Sequence, residues 1–180
     1  MALDADSLVP KDLGETAAET NIEATQPATI VTRATFAASR AKTWQSLLFY
    51  EEVKERPPLH LRLLLPIPIR TEGDKKRIGG EAMCLYEGGH LLKRTTRIVE
   101  GELYEFEVAE QALAVGGSMR LSGGRYTLTE ITPDRTEVAV VTRYTSTKWP
   151  RWFWRPIERF VCHTFHRFLL RSMRRKTELG

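Results

Sequence analysis

Residues 149–175 read WPRWFWRPIERFVCHTFHRFLLRSMRR, the longest stretch of the chain with helical periodicity. It corresponds to roughly seven turns of α-helix. A proline inside a helix removes a hydrogen-bond donor, so we expect a short turn from Pro150 and a kink or restart near Pro156. The periodicity predicts one apolar face that packs on the rest of the domain, formed by Phe153, Ile157, Phe160, Val161, Thr164, Phe165, Phe168 and Ser172.

The opposite side of this helix is predicted to be basic. Between Arg151 and Lys176 there are eight arginines or lysines and one acid, Glu158. Such a side either is simply solvated or attracts phosphate, anionic lipid or an acidic ligand. With Trp152 near its start, we expect a weak association with an anionic membrane surface and no nucleic-acid partner. The predicted basic stripe comprises Arg155, Arg159, Arg167, Arg171, Arg174, Arg175 and Lys176.

The remainder of the 180-residue chain is predicted to be a short acidic tail followed by one domain. Residues 1–27 contain six acids, one lysine and almost no large apolar side chain, a composition typical of disorder. Residues 28–180 form the folded part. The two cysteines, Cys84 and Cys162, are far apart and give no disulfide or metal spacing. Without a visible signal sequence or membrane-length apolar run, we expect a soluble, cytoplasmic protein.

Strand patterns fill the region between the tail and the long helix. Residues 28–36 alternate as a first strand, and Ser39 offers a cap to a short helix carrying Trp44, Leu47 and Leu48. That helix should end within residues 49–56, before Pro57. Leu59–Ile69 contains two prolines, which suits an edge strand or the lip of a cavity.

Two hairpins and one bend are predicted farther along the chain. The hairpins turn at Gly88-Gly89 and at Pro133-Asp134. The stretch from Ala112 to Gly124 is expected to be a glycine-rich bend with a short strand at Ser118–Leu121. A strand, a short helix, about six antiparallel strands and a long helix make an α+β arrangement.

Several stretches together resemble one known superfamily. They are TWQSLLFYEEV (43–53), PPLHLRLLLPIPIR (57–70), the C-x-Y-x-x-G of Cys84–Gly89, and the WPRWFWRP and CHTFHRFLL segments of the last helix. The chain resembles the START-like, helix-grip superfamily, also called SRPBCC or Bet v 1-like, over residues 28–176. It looks most like uncharacterised members near the polyketide cyclase/dehydrase group. The resemblance implies a curved antiparallel sheet wrapped around the C-terminal helix, with an apolar ligand held between them.

The ligand-binding candidates are the side chains expected to point into such a cavity. Large aromatic groups mixed with a few hydrogen-bonding groups are typical of small-molecule pockets, although the same groups can simply fill a core. Arg94 shares the strand phase of Leu92 and Ile98, so it either points inward to meet an acidic ligand head group or lies at an edge and reaches water along its own stem, whereas Lys93 and Arg97 should be solvated. The candidates are Tyr86, Arg94, Tyr104, Phe106, Tyr126, Tyr144, Phe160, Thr164 and Phe168.

No catalytic or metal site is predicted. His163 and His166 have a spacing that can chelate a metal, but no acid or further Cys/His cluster completes a ligand set. Both histidines fall opposite the phenylalanines and are expected to face solvent or a partner. We therefore predict no metal, and no cofactor, because the glycine pairs match no phosphate or dinucleotide loop.

Three functions remain open at the level of sequence. The first is a non-catalytic module that binds, or binds and transports, a lipid-like or polycyclic small molecule. The second is a polyketide cyclase/aromatase-like enzyme, which needs little more than a shaped cavity and one acid or base. The third is a protein with a filled core that acts through its basic surface on a membrane or partner. The sequence makes no prediction about oligomeric state.

Overall fold

One antiparallel sheet and two helices make up the described part of the chain. The computed structural model describes residues 27–48, 68–113 and 118–179. In chain order the elements are β1 (Ala28–Phe36), α1 (Arg40–Leu48), β2 (Pro68–Gly73), β3 (Glu81–Tyr86), β4 (Gly89–Val99), β5 (Leu103–Ala112), β6 (Met119–Thr132), β7 (Arg135–Ser146) and α2 (Arg151–Leu179). This order confirms the predicted α+β class.

The seven strands form a single curved sheet in the order β1-β7-β6-β5-β4-β3-β2. Strands β2 to β7 are successive neighbours, and β1 pairs with β7 from Ala28 opposite Tyr144 to Phe36 opposite Thr136. The first strand therefore joins the sheet beside the last one, at an edge. Helix α2 lies against β1, β7 and α1. This is the helix-grip arrangement that the sequence predicted.

The predicted hairpins and the first two elements are confirmed. Gly88 has a φ of 88° in the β3–β4 turn, a conformation that favours glycine. The β6–β7 turn closes with Thr132 opposite Arg135, on either side of Pro133-Asp134. In β1, Ile30 and Phe36 are buried, while α1 buries Trp44 and Leu47. Ser39 Oγ accepts a hydrogen bond from the backbone N–H of Lys42 at 3.4 Å, as expected of a helix cap.

Several predictions fall where the structure gives no description. These are the tail up to residue 26, the end of α1 after Leu48 and most of Leu59–Ile69. The part of that last segment that is described, from Pro68, begins β2, which lies at the sheet edge opposite β1.

The glycine-rich bend was a wrong prediction at its C-terminal end. Strand β6 runs from Met119 through Gly123 and Gly124 to Thr132, with one irregularity between Leu121 and Gly123. A bulge accommodates the first glycine without ending the strand. The second glycine, Gly124, is explained by the close approach of strand β7. A Cβ on Gly124 would lie 2.5 Å from the carbonyl oxygen of Val141.

Helix α2 is continuous from Arg151 to Leu179, so the restart expected near Pro156 does not occur. Pro150 stands just before its first residue, and its carbonyl accepts hydrogen bonds from the N–H groups of Phe153 and Trp154, both at 3.2 Å. Pro156 lies early in the helix and is exposed. The donor it lacks would have bonded the carbonyl of Trp152, whose residue is also exposed and close to water.

The predicted inner face of α2 was wrong in its N-terminal half. Phe153, Ile157 and Phe160 are exposed, by 48%, 38% and 63%. Of the predicted set only Val161 is fully buried. The residues of α2 that are fully buried are Glu158, Val161, Cys162, His166, Leu170, Met173 and Thr177.

Spacings of three and four residues connect the members of this buried set, so it is a true helical stripe rotated from the predicted one. Leu170 and Met173 join the main core cluster with Phe36, Trp44 and Val138. The N-terminal half of α2 has a more polar inner face, which a search for apolar periodicity overlooks.

Of the two orientations open to Arg94, the structure shows the exposed one. Arg94 is exposed and binds Glu81 and Glu107 on neighbouring strands, with its closest contact at 2.8 Å from Nη2 to Glu81 Oε1. The sheet has irregularities between Leu92 and Lys93 and again between Thr95 and Arg97. Because a bulge reverses the alternation of side chains, a constant two-residue period does not hold along β4.

Candidate functional site

A cavity of about 140 Å³ lies between the inner face of the sheet and α2. Strands β2 to β7 and the middle of α2 contribute to its wall. Among the described residues, most of the lining is apolar, with polar groups at a few positions. The lining includes Arg70, Cys84, Leu85, Tyr86, Leu91, Lys93, Phe106, Val108, Leu121, Tyr126, Val140, Thr142, Val161, Cys162, Phe165, His166 and Leu169.

Three aromatic rings support the floor of the cavity. Phe106 and Tyr126 line it, and Tyr104 packs beside both, with ring centroids between 6.1 and 6.5 Å apart. These distances and the tilted planes fall in the range that favours aromatic pairs. The absence of a side chain at Gly124 leaves room for the Phe106 ring, since a Cβ there would lie 3.0 Å from Phe106 Cζ.

A lysine lies beside this aromatic floor. Lys93 Nζ is 4.9 Å from the centroid of the Phe106 ring, a cation–π distance, and the residue lines the cavity. The expectation that Lys93 would be solvated is therefore wrong, because Lys93 lines the cavity while its neighbour Arg94 is the exposed one. Arg70 on β2 also lines the cavity, and its guanidinium pairs with Glu72 at 2.7 Å.

The polar part of the wall on the helix side is a chain of hydrogen bonds through two histidines. His166 Nε2 lies 2.7 Å from Thr142 Oγ1, and its Nδ1 lies 2.9 Å from Thr32 Oγ1. The same Thr32 hydroxyl is 2.8 Å from Nδ1 of His163. The prediction that both histidines face solvent or a partner is therefore wrong, because both turn toward β1 and His166 is 1% exposed.

A hydroxyl has one proton to donate, so Thr32 can donate to only one of the two histidines. Its bond with His166 therefore runs in one of two directions. Each choice fixes the tautomer of His166 and the direction of its bond with Thr142. Burial, and in second place the nearby His163, lower the pKa of His166 to about 4. His166 is thus neutral near pH 7, with hydroxyl partners at both ring nitrogens.

A second polar cluster fixes the start of α2. Glu158 is 3% exposed and accepts bonds at 3.0 Å from Arg151 Nη1 and Nη2, one to each oxygen. Ser146 Oγ donates to the same carboxylate at 2.6 Å and the Tyr144 hydroxyl donates at 3.2 Å. Burial alone would raise the pKa of Glu158, but the bonds from Arg151 and Ser146 outweigh it and hold that pKa below its usual value.

Neighbouring titratable groups respond to the same cluster. Burial, together with the negative charge of Glu158, raises the pKa of the Tyr144 hydroxyl and raises the pKa of the Cys162 thiol to about 12. Cys162 is therefore protonated at neutral pH, and it is not activated as a nucleophile. Cys84 and Cys162 are both free and buried.

The predicted ligand-binding residues divide into two groups. Tyr86, Phe106 and Tyr126 line the cavity. The other six lie elsewhere: Tyr104 and Tyr144 are buried in the two core clusters, Arg94 and Phe160 are exposed, Thr164 donates to the carbonyl of Phe160, and Phe168 is half-buried outside the described lining.

Sequence reasoning missed His166, Thr142 and Lys93. The available signal was the four-residue spacing of Glu158, Cys162 and His166, which places them on one side of the helix. That spacing continues into Leu170. Charged and polar residues are rarely buried unless they have partners, and those partners are not visible in the sequence. The polar residues of this series, Glu158 and His166, are therefore expected at the surface.

Neither a metal site nor a membrane-spanning helix is found where the structure describes the chain. Residues 27–48, 68–113 and 118–179 hold no group of three or more His, Cys, Asp or Glu side chains arranged to bind a metal ion. No helix in those ranges is long and apolar enough to cross a bilayer.

A seven-stranded antiparallel sheet gripping one long helix, with an apolar cavity between them, defines the START-like fold. A norcoclaurine synthase structure from Thalictrum flavum superposes with a TM-score of 0.61 at 12% identity, covering 87% of this chain and 97% of that one. A START superfamily protein from Mycobacterium smegmatis gives 0.59 at 12%, covering 84% and 97%.

An aromatase/cyclase from Streptomyces sp. R1128 is similar as well, with a TM-score of 0.54 at 14% identity, over 86% of this chain and 99% of that one. No protein-family model matches the sequence. No curated protein matches it either. At these identities the likeness establishes the fold, including its START-like helix-grip topology, and the function has to be argued from the cavity.

Proposed function

We propose that this protein binds a small apolar molecule in the cavity between the sheet and α2. The observation that carries the proposal is the cavity itself, with its aromatic floor, its mostly apolar wall and the few polar groups contributed by Lys93, Thr142 and His166. Such sites bury apolar ligands and orient them with a small number of polar contacts.

The volume limits the size of the ligand. Pockets for drug-sized ligands measure about 300–1,000 Å³, whereas an apolar cavity of about 150 Å³ is known to accept benzene. At about 140 Å³, the present cavity suits one aromatic ring or a short acyl segment. A polycyclic ligand would require the wall to move outward.

The hydrogen-bonding pattern favours binding over acid–base catalysis. Both ring nitrogens of His166 already have threonine hydroxyl partners, and the pKa of about 4 keeps the ring neutral. A general acid or base works best when its pKa is near the operating pH and one of its atoms is open to the substrate. The aromatase/cyclase alternative therefore receives no support from this histidine.

Native mass spectrometry of the full chain tests the proposal directly. We expect an adduct that organic extraction removes and that a gas-phase mass identifies as a small apolar compound. In parallel, p-cresol and hexanoate serve as probes in thermal melts, with glucose as the polar control. At a probe concentration 100 times its Kd, the stabilisation is about 2.7 kcal/mol, or roughly 5–10 °C for a domain of this size.

The proposal fails if no adduct is found and neither p-cresol nor hexanoate raises the Tm more than glucose does. A chemically altered probe recovered after incubation would instead support the enzymatic alternative.

A further inference from the structure

The exposed side of α2 combines large aromatic groups with positively charged side chains. Five of the nine exposed large hydrophobic side chains in the described ranges lie between residues 149 and 160. Trp149 is 81% exposed, Trp152 78% and Phe160 63%. A concentration of large apolar groups on one part of a surface marks an interaction site, whereas scattered ones do not.

These aromatic groups touch one another. Trp152 and Phe153 meet edge to face with centroids 6.0 Å apart, and Phe153 and Trp154 do so at 5.3 Å. Lys148 Nζ lies 4.0 Å from the centroid of the Trp154 ring. We call the exposed residues Trp149, Trp152, Phe153, Ile157 and Phe160 the aromatic patch.

A groove of about 260 Å³ lies farther along the same helix, against β1. Four arginines line it, together with Ala34 and Leu170, and we call it the arginine groove: Arg33, Arg167, Arg171 and Arg174. Arg33 has an acidic partner, Glu137, at 3.5 Å. Among the residues that the structure describes, Arg167, Arg171 and Arg174 have no carboxylate within ion-pair distance.

The patch and the groove share one stripe of the helix. Phe153, Phe160, Arg167, Arg171 and Arg174 are separated by seven, seven, four and three residues, spacings that keep side chains on the same side. The apolar part occupies the first turns and the basic part the last.

The charge of this stripe has a single sign. In α2 up to residue 177 the one acid is Glu158, which is buried and neutralised by Arg151. Every other charged residue from Arg155 to Lys176 is an exposed arginine or lysine. A macrodipole effect covers only the last turn of a helix, so it accounts for neither Arg159 nor Arg167.

We propose that this side of α2 is a docking surface for an anionic phospholipid bilayer. The aromatic patch enters the interface, where tryptophan is favoured, and the arginine groove receives lipid phosphate groups through bidentate hydrogen bonds. The surface is separate from the cavity, and its function does not depend on the identity of the cavity ligand. It would bring the START-like domain to a membrane from which apolar molecules can be exchanged.

Vesicle flotation with the full chain tests the docking surface. Vesicles of phosphatidylcholine alone are compared with vesicles in which about a third of the lipid is phosphatidylglycerol. We expect binding to the anionic vesicles, little binding to neutral ones, and a large loss at about 0.5 M salt, where charges are screened within a few Å. Tryptophan emission should shift to the blue on binding, because exposed indoles leave water.

Two variants and two matched controls separate the contributions. The triple variant Arg167→Gln, Arg171→Gln, Arg174→Gln should bind anionic vesicles roughly 100-fold less, because each arginine contributes about a fivefold gain. Its control removes three exposed sheet arginines, Arg97, Arg120 and Arg125, and should lose less than about threefold.

The aromatic patch is tested by the same logic. Trp152→Ser with Phe160→Ser should reduce the blue shift, leaving only the part due to Trp149, and weaken binding about tenfold or more. Its control, Ile78→Ser with Ile131→Ser, alters two exposed apolar residues on the sheet side and should bind normally. Circular dichroism melts confirm that each variant is folded, as surface substitutions should leave stability nearly unchanged.

Several results would overturn the proposal. One is equal binding to neutral and anionic vesicles, and another is an equal loss in the sheet-arginine control. A third is binding of soluble glycerol phosphate that the triple arginine variant loses, together with no binding to vesicles. The groove would then be a site for a soluble phosphate compound. A fourth is a dimer in sedimentation velocity that Trp152→Ser with Phe160→Ser dissociates, without vesicle binding.

Discussion

Glu158 is the residue on which the start of the long helix depends. Its two oxygens accept four hydrogen bonds from three side chains, and it is 3% exposed. A buried ion pair is not by itself evidence of stability, because desolvation offsets the attraction. Removing one partner is a different matter, since the others are then left buried without their acceptor.

We therefore expect Glu158→Ala to lower the free energy of unfolding by about 3–5 kcal/mol. Urea denaturation followed by circular dichroism measures this difference. Glu137→Ala provides the control, because Glu137 forms a largely exposed ion pair with Arg33 and its loss should cost less than about 1 kcal/mol. Equal effects of the two substitutions would mean that the Glu158 cluster is no more than a surface contact.

The burial of His166 in its neutral form predicts that the stability of the fold depends on pH. Its pKa is lowered in the folded state to about 4, from an ordinary value near 6.5. Between these two pH values His166 is protonated in the unfolded chain but not in the folded protein. The free energy of unfolding therefore falls as the pH drops from about 6.5 to 4, and it levels off below that. Over the full interval the loss is about 3 kcal/mol.

Protonation of carboxylates also lowers the stability of the protein over part of this pH range. The variant His166→Gln is therefore needed to isolate the contribution of the histidine. Urea midpoints of both proteins, measured at half-unit steps from pH 7.5 to 4, should approach one another as the pH falls. Parallel curves would show that His166 does not titrate with a lowered pKa.

At the scale of the element, the orientation of α2 follows from partners distant in sequence. Local periodicity identified the helix, its length and its amphipathic character, and these are confirmed. It could not identify the buried side, because Glu158, Cys162 and His166 are buried by groups on other strands, such as Ser146 and Thr32. Judged by hydrophobicity alone, the side that carries the phenylalanines is the one expected to be buried. A bulge at Thr96 of β4 likewise puts Arg94 and Ile98 on opposite faces of the sheet, and nothing in the local pattern marks it.

The observed orientation of α2 gives a sharp comparison between two positions. Leu170→Ala should destabilise by about 2–5 kcal/mol, because this side chain is 3% exposed within the main core cluster. Phe160→Ala removes a larger side chain that is 63% exposed, so its cost should stay within about 0.5 kcal/mol. Chemical denaturation of both variants decides the matter. The reverse ranking would restore the phenylalanine face as the buried one.

At the scale of the whole molecule, the antiparallel sheet around the last helix was predictable from the order of the elements, the place of the cavity followed from the family resemblance, and the composition of its wall was predictable only in part. Tyr86, Phe106 and Tyr126 follow the strand alternation that the sequence displays, and they line the cavity. Tyr144 follows it as well, yet its hydroxyl is taken by Glu158. Which aromatic groups fill a core and which surround a space depends on how far the sheet stands from the helix, and no local pattern encodes that distance.

The cavity also has an energetic consequence that separates a ligand-binding protein from one with a filled core. Apolar wall atoms that face an empty space have no partner atoms on that side, so filling the space adds dispersion contacts. Val108→Trp places an indole in the space, so we expect unchanged or higher stability and loss of p-cresol binding. Ala109→Trp adds the same group at the neighbouring, exposed position and should leave binding intact. Thermal melts with and without p-cresol measure both quantities. If Val108→Trp destabilises strongly and the wild type ignores the probe, the interior is already packed and the cavity holds no ligand.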